Sequence, residues 1–283
     1  MLALEDSCMP CETLQNSVSL RNVSGLRWTR SRQLRRHGQG WPNDAGTERV
    51  PRRRLALLRT LASVTLPLLF GARATGTEFT VTNTSDSGAG SLRQAITDAN
   101  ALTGTNSIVF HIPGSGAQTI SPTSALPTIA SPVSIDGYTQ PGASANTLAV
   151  GTNATLLIVL NGLSAGSTTH GLHITAGSCT VRGLVINNYS YAGIKIDSGN
   201  GSTLAGNYIG TNATGTTAVP NGRGTQWDGV TIGETSTSAN NVIGGASPAD
   251  RNVISGNNGG AIRITSSAGG NTIRGNYLGV NAA

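Results

Sequence analysis

From Gly171 onward the apolar residues of this chain come in short groups, separated by single polar residues and bounded by glycine or asparagine. Gly171-Leu-His-Ile returns as Gly193-Ile-Lys-Ile, as Gly229-Val-Thr-Ile and, varied, as Ala261-Ile-Arg-Ile. Leu204-Ala-Gly-Asn-Tyr-Ile-Gly-Thr-Asn returns as Ile273-Arg-Gly-Asn-Tyr-Leu-Gly-Val-Asn. Alternation over three or four residues between turn formers is how short strands read. Its return in a fixed order marks a repeat architecture. In register, the chain lays out as four circuits of three strands: 171–174, 179–182 and 184–187; 193–196, 202–205 and 207–210; 229–232, 240–243 and 252–255; 260–263, 271–274 and 276–279. The residues at 211–227 and 245–251 are insertions that map to turns.

This register sorts alternate residues into columns. Leu172/Ile194/Val230/Ile262 and Ile174/Ile196/Ile232/Ile264 form the first pair, Val181/Leu204/Ile243/Ile273 the next, and Ile186/Ile209/Ile254/Leu278 the last. All are aliphatic. Stacked about 4.8 Å apart in parallel ladders, they would make one continuous core, each buried side chain contributing about 1.5–3 kcal/mol. A single circuit cannot bury its own inward side, so stability requires stacking. Corners fall on Gly and Asn, which adopt backbone angles that β-branched residues avoid. Asn207, Asn252 and Asn276 share one corner, and Asn241 and Asn271 another, so each set is expected to form an amide ladder. Cys179 falls beside the second set and reads as a small corner residue, not a nucleophile.

Upstream, Phe79-Thr-Val alternates like a strand and 83–90 is rich in turn formers. Ser91-Leu-Arg-Gln carries the capping-box pattern, with Ser91 and Gln94 placed to bond each other's backbone. Leu92, Ala95, Ile96 and Ala99 then share one face of a short helix. Further strands are expected at 107–112 and 133–135. A lone helix in a chain of strands is expected to cover one end of the stack, where bare strand edges would invite pairing with other chains.

Charge divides the chain. The first 74 residues carry 12 of the 19 Lys and Arg and 5 of the 13 Asp and Glu, whereas the rest carry 7 basic and 8 acidic residues. The net charge of +6 therefore belongs to the leader. No nucleic-acid or anionic-membrane partner is expected for the remainder. Arg52-Arg-Arg, the apolar stretch 61–70 and Ala72-Arg-Ala compose a secretory signal peptide over 50–74, too short for a membrane span, with cleavage after Ala74. Residues 1–49 lack apolar periodicity and read as a mis-assigned or disordered upstream extension, with Val50 as the first translated residue. Residues 75–165 are then an N-terminal cap with the first circuits, and 166–283 a repeat region truncated at its C-terminal end. Cys8 and Cys11 lie in the leader and Cys179 beyond it, so no disulfide framework is expected.

The repeats resemble the right-handed parallel β-helix repeats of bacterial secreted and surface proteins. Asp86-Ser-Gly-Ala-Gly-Ser-Leu-Arg-Gln-Ala-Ile with Ala99-Asn100, and Ile135-Asp-Gly-Tyr-Thr-Gln-Pro-Gly, resemble the N-terminal region of such proteins, including those with a CSLREA-type segment, although Gly90 stands where that segment has Cys. The resemblance spans about 78–283. It implies an all-β fold, a right-handed parallel β-helix of three-strand coils with a short N-terminal capping helix, and export to the cell surface or medium. It implies no single activity, because the fold hosts lyases, hydrolases, adhesins and plain spacers.

The candidate chemistry is sparse. Glycoside hydrolysis uses two carboxylates about 5–10 Å apart, and a lyase of this fold would add a basic side chain and a carboxylate-bound Ca²⁺. Asp197 lies over Gly233 and beside Glu234, with Lys195 on the same strand, so these three are the catalytic candidates under that alternative. Otherwise they are turn carboxylates with a lysine, no catalytic set is expected, and no cofactor is needed. His170 and His173 lie three apart without a third ligand, so no metal site is expected. The outward column of the first face is His173, Lys195, Thr231 and Arg263. That of the third is Val185, Tyr208, Val253 and Tyr277, with Trp227 in the nearby insertion. Rings and cations along a flat sheet suit contact with sugars, and Tyr208 and Tyr277, two circuits apart, are the expected ring platform. The expected function is a secreted or cell-surface structural module, adhesive or glycan-contacting and non-catalytic, whose partner is a polysaccharide or cell-surface glycan. The alternatives are a polysaccharide lyase or glycoside hydrolase, and a surface scaffold that self-associates through its last circuit.

Overall fold

A computed structural model describes residues 76–265 and 268–283. The expected signal peptide, the upstream extension and the cysteine pair Cys8 and Cys11 lie outside the described residues.

Numbered along the chain, the strands form three sheets in which every strand pairing is parallel. The seven-stranded sheet runs β1 (Glu78–Val81), β2 (Asn106–Phe110), β4 (Val133–Asp136), β7 (Thr180–Arg182), β10 (Thr203–Ala205), β13 (Val242–Gly244) and β16 (Thr272–Arg274). The six-stranded sheet runs β3 (Gln118–Ile120), β5 (Ile158–Asn161), β8 (Leu184–Asn187), β11 (Tyr208–Ile209), β14 (Val253–Ile254) and β17 (Tyr277–Leu278). The four-stranded sheet runs β6 (Leu172–Ile174), β9 (Ile194–Ile196), β12 (Val230–Ile232) and β15 (Ile262–Ile264). From β6 onward, consecutive strands never pair. The chain passes from the four-stranded to the seven-stranded to the six-stranded sheet and starts again. Neither β3 nor β5 was anticipated, although Leu156-Leu-Ile-Val-Leu160 is an apolar run at β5.

The register is the one the repeats predict. Leu172 pairs with Ile194, Ile194 with Val230, and Val230 with Ile262. Val181 pairs with Leu204, then Ile243 and Ile273, and Ile186 with Ile209, then Ile254 and Leu278. These columns form one core, and Ile232, Ile243 and Ile254 have no exposed surface. In the last circuit Ile264, Ile273 and Leu278 are 42%, 39% and 43% exposed. There the predicted burial is not completed, because no strand among the described residues stacks beyond β15, β16 and β17.

The glycines before β6, β9 and β12 have a steric reason, whereas Ala261 stands at that position before β15. A Cβ on Gly193 would lie 2.7 Å from Ile209 Cγ2, and one on Gly229 would lie 2.6 Å from Ile254 Cγ2. At these two corners only a residue without a side chain fits against the next circuit. The asparagine ladders form as expected. Asn207 Nδ2 donates to Asn252 Oδ1 at 3.1 Å, and Asn252 Nδ2 to Asn276 Oδ1 at 2.8 Å. Asn241 Nδ2 donates to Asn271 Oδ1 at 2.9 Å, and buried Cys179 lies at the head of that corner. A third rung at the remaining corner, Asn221 to Asn257 at 3.0 Å, lay hidden in the stretch read as an insertion.

Helix α1 (Leu92–Asn100) packs on β1 and β2 through Leu92, Ala95, Ile96 and Ala99, the face its spacing predicts. The capping box is only half built. Ser91 Oγ accepts from Gln94 N at 3.2 Å, but the Gln94 amide donates to Asp98 instead of reaching back. Among the described residues no helix is long and apolar enough to cross a membrane.

Candidate functional site

The outer face of the four-stranded sheet gathers most of the chain's candidate chemistry. His173, Lys195, Thr231 and Arg263 are the middle residues of β6, β9, β12 and β15, and each stands opposite its neighbour in the ladder. Lys195 Nζ lies 2.9 Å from Asp197 Oδ2 and 2.8 Å from Glu234 Oε2. The one-circuit offset read from the sequence does bring Asp197, Glu234 and Lys195 together. Thr235, just past Glu234, donates its backbone N–H to Asp197 Oδ1 and its hydroxyl to Asp197 Oδ2, at 3.1 and 2.9 Å.

That arrangement fixes the ionisation of the cluster. Burial disfavours the Asp197 anion, but the Lys195 ammonium and the two Thr235 donors outweigh it and hold the carboxyl below its usual range. Burial likewise works against the Lys195 cation, and its hydrogen bonds to Glu234 and Asp197 reverse the balance and raise its pKa. Lys195 is therefore a cation and the buried Asp197 an anion at neutral pH.

Beside this cluster sits an aromatic group. Tyr191 and Trp227 stack with centroids 4.7 Å apart and planes inclined by 24°. The His170 ring lies 5.2 Å from Tyr191 and 5.1 Å from Trp227, edge-on to the latter. His173 follows at 6.0 Å from His170. The Arg263 guanidinium lies 5.9 Å from the Trp227 centroid, with Nε 3.2 Å from Asp228 Oδ2. Burial, with the positive charge of Lys195 and the neighbouring His173, pushes His170 down to about 4. Its ring is neutral at pH 7, and because Nδ1 accepts from Ala192 N at 3.2 Å the proton sits on Nε2. Burial and Lys195 also lower His173. Its Nε2 is 3.5 Å from Asp197 Oδ2, within ion-pair range but without hydrogen-bond geometry. Thr231 Oγ1 and Asp228 Oδ2 are likewise buried without a hydrogen-bond partner.

The predicted tyrosine platform does not form. Tyr208 points away from the core as the register requires, yet it is 2% exposed. With Val185 and Val253 it belongs to a second apolar cluster that includes Leu156, Val159 and Ala282. A strap bracketed by the antiparallel bridge between Ser144 and Thr155 covers this column. Thr152 Oγ1 and Tyr208 Oη share a 3.0 Å hydrogen bond, and Gly151 N donates to Tyr277 Oη at 2.6 Å. Arg251 clamps the strap, donating to the carbonyls of Leu148, Ala149 and Gly151 while its guanidinium lies 4.7 Å from the Tyr277 centroid. Tyr208 therefore offers no ring face to a sugar, and one face of Tyr277 is taken by Arg251. Trp227, placed near that column in the sequence reading, belongs to the opposite group.

Sequence reasoning did not unite His170, Tyr191 and Trp227, although a signal was present. Tyr191 and Trp227 each precede a strand-opening glycine (Gly193, Gly229) by two residues and so recur at one repeat position, while His170 directly precedes Gly171. An open cleft of about 620 Å³ adjoins the aromatic group in sequence, lined by Leu163, Ser164, Ser167, Ser190, Arg223 and Thr225 among others. No set of three or more His, Cys, Asp or Glu among the described residues is arranged to hold a metal ion. No protein-family model matches the chain, and no curated protein matches it.

Proposed function

We propose that the mature chain is an exported, right-handed parallel β-helix, capped at one end by α1, that contacts a saccharide through the outer face of its four-stranded sheet without transforming it. The observation that carries this reading is the Tyr191–Trp227 stack, half-buried beside His170 on a face that also carries charged and polar side chains. Saccharides present apolar ring faces and hydroxyls together, and such a surface matches both. The β-helix reading is supported by the three-sheet circuit and the single columns of aliphatic residues. Export is supported by the basic, apolar and A-x-A sequence over 50–74. The non-catalytic reading is supported by Lys195 and Asp197, each tied into an ion pair that fixes its protonation.

Glycan-array binding of the mature chain tests it. Trp227→Ala and Tyr191→Ala are each expected to weaken binding about fivefold or more, near 1 kcal/mol. A wild-type chain that binds no saccharide removes the contact reading. Incubation with polysaccharides, with and without Ca²⁺, is expected to release no reducing ends or unsaturated products. Release that disappears in Asp197→Asn would replace the non-catalytic reading with the enzymatic one.

A further inference from the structure

We infer that the cleft beside the aromatic group is a subsite for a carboxylate-bearing sugar residue, with Arg223 as its cation. The inference rests on the saccharide-contact reading and adds the class of saccharide. Its starting point is the distribution of charge. Arg93, Arg182, Lys195 and Arg263 each lie on a carboxylate, and Arg251 is engaged by three carbonyls and the Tyr277 ring. The ledge of Lys195, Asp197, Glu234, Asp228 and Arg263 is thus internally neutralised and slightly acidic, a poor host for an anion. Arg223 and Arg274 differ, for among the described residues neither has a carboxylate partner. Arg274 is exposed on the last circuit, whereas Arg223 lines a cleft.

Arg223 is nevertheless held in place. Its Nε donates to Asn188 O at 2.8 Å and its Nη2 to Leu163 O at 3.1 Å. The Nη1 hydrogens and one on Nη2 make no hydrogen bond to the described residues, so a preset guanidinium edge remains available. Such an edge suits a carboxylate in two-point contact, which an ammonium cannot reproduce. The site around it is hydroxylic. Ser164 and Ser167 are exposed at the rim, and the Thr225 hydroxyl donates to Ser190 O at 2.7 Å, joining the cleft's two walls. Ser190 directly precedes Tyr191, and Thr225 lies two residues before Trp227, so both walls continue in sequence into the stacked pair. A saccharide bound at the rings has its next residue within reach of the cleft, where a free small anion would find charge but no ring surface.

Titration calorimetry with oligogalacturonate and its fully methyl-esterified form tests this, because only the carboxylate differs. The wild type is expected to bind the acid about tenfold more tightly than the ester. Arg223→Gln is expected to abolish that preference, so that acid and ester bind equally, and Arg223→Lys to restore only part of it. Ser167→Asp, at an exposed rim position, places a competing anion in the cleft and is expected to abolish the preference even if Arg223→Gln does not fold. Equal binding of acid and ester by the wild type, both weakened by Trp227→Ala, overturns the carboxylate subsite and leaves the saccharide reading standing. A preference that survives in Arg223→Gln or Ser167→Asp overturns it as well. No binding of either form, or of any neutral oligosaccharide, removes both. Galacturonate monomer competing as well as the oligomer would identify an anion hole without saccharide recognition and overturn the inference.

Discussion

The outer faces of the six-stranded and four-stranded sheets follow the same alternation, yet one is a second core and the other carries open chemistry. On the six-stranded sheet the outward column Val185, Tyr208 and Val253 is as buried as the inward one, because the strap between Ser144 and Thr155 lies over it. On the four-stranded sheet the outward column is graded, half-buried at His173, buried at Lys195 and Thr231 and exposed at Arg263. Alternation decides whether a side chain points into the stack or away from it. It does not decide whether something else arrives to cover the outside. The chemical character of each column anticipates the outcome: aliphatic and phenolic side chains can accept a lid, whereas a row of imidazole, ammonium and guanidinium groups resists one.

The largest expected effect separates the two faces by stability. Tyr208→Ala removes a ring enclosed by the second cluster and is expected to lower unfolding free energy by about 3–5 kcal/mol. Trp227→Ala, half-buried on the open face, should lose much less. Denaturant melts that gave equal losses would break the comparison. Next, Arg251→Ala removes three donors and the ring contact that pin the strap, and about 1–3 kcal/mol should be lost. The strap near Leu148 should then become a site of limited proteolysis, and a digestion pattern identical to wild type would show that other contacts hold it.

The smallest effect is confined to the open face and depends on pH. His170 has a folded pKa of about 4 against an ordinary 6.5. As pH falls below about 6.5 the unfolded chain takes up a proton that the folded chain refuses until about 4, so stability declines across that window. Solvent screening at the half-buried ring reduces the effect to about 1–2 kcal/mol. His170→Asn keeps an acceptor near Ala192 N and is expected to flatten this part of the stability–pH curve, leaving the Tyr208 side unaffected. An unchanged slope would place the acid sensitivity elsewhere.

The repeat region was legible because its information is periodic. Ile194, Ile196, Leu204 and Ile209 each have a partner one circuit away, and the sequence spells those partners out. The meeting of Asp197, Lys195 and Glu234 was legible for the same reason, since it needs only the register. What escaped was aperiodic. The strap derives from a single stretch of mostly Ala, Ser, Thr, Asn and Gly, with Leu148 and Val150 its larger apolar residues and no apolar rhythm, held by Arg251 from far along the chain, so nothing local announced that it would bury Tyr208. Asn221 and Trp227 escaped because an insertion interrupts the count, although both lie where the uninterrupted circuits place a corner or a ring.

The asparagine ladders give the molecule a mechanical grain. Each amide joins one circuit to the next, from Asn207 to Asn252 to Asn276, and the strand hydrogen bonds run the same way. A force that draws one terminus along the stack meets these links one layer after another, so the chain peels in discrete steps. Because the stretches from Leu172 to Ile194, Ile194 to Val230 and Val230 to Ile262 differ in length, the slack released at each step differs too. A force applied across the stack is shared by all the layers at once. Such a stack yields gradually to a pull along its ladders and resists one across them.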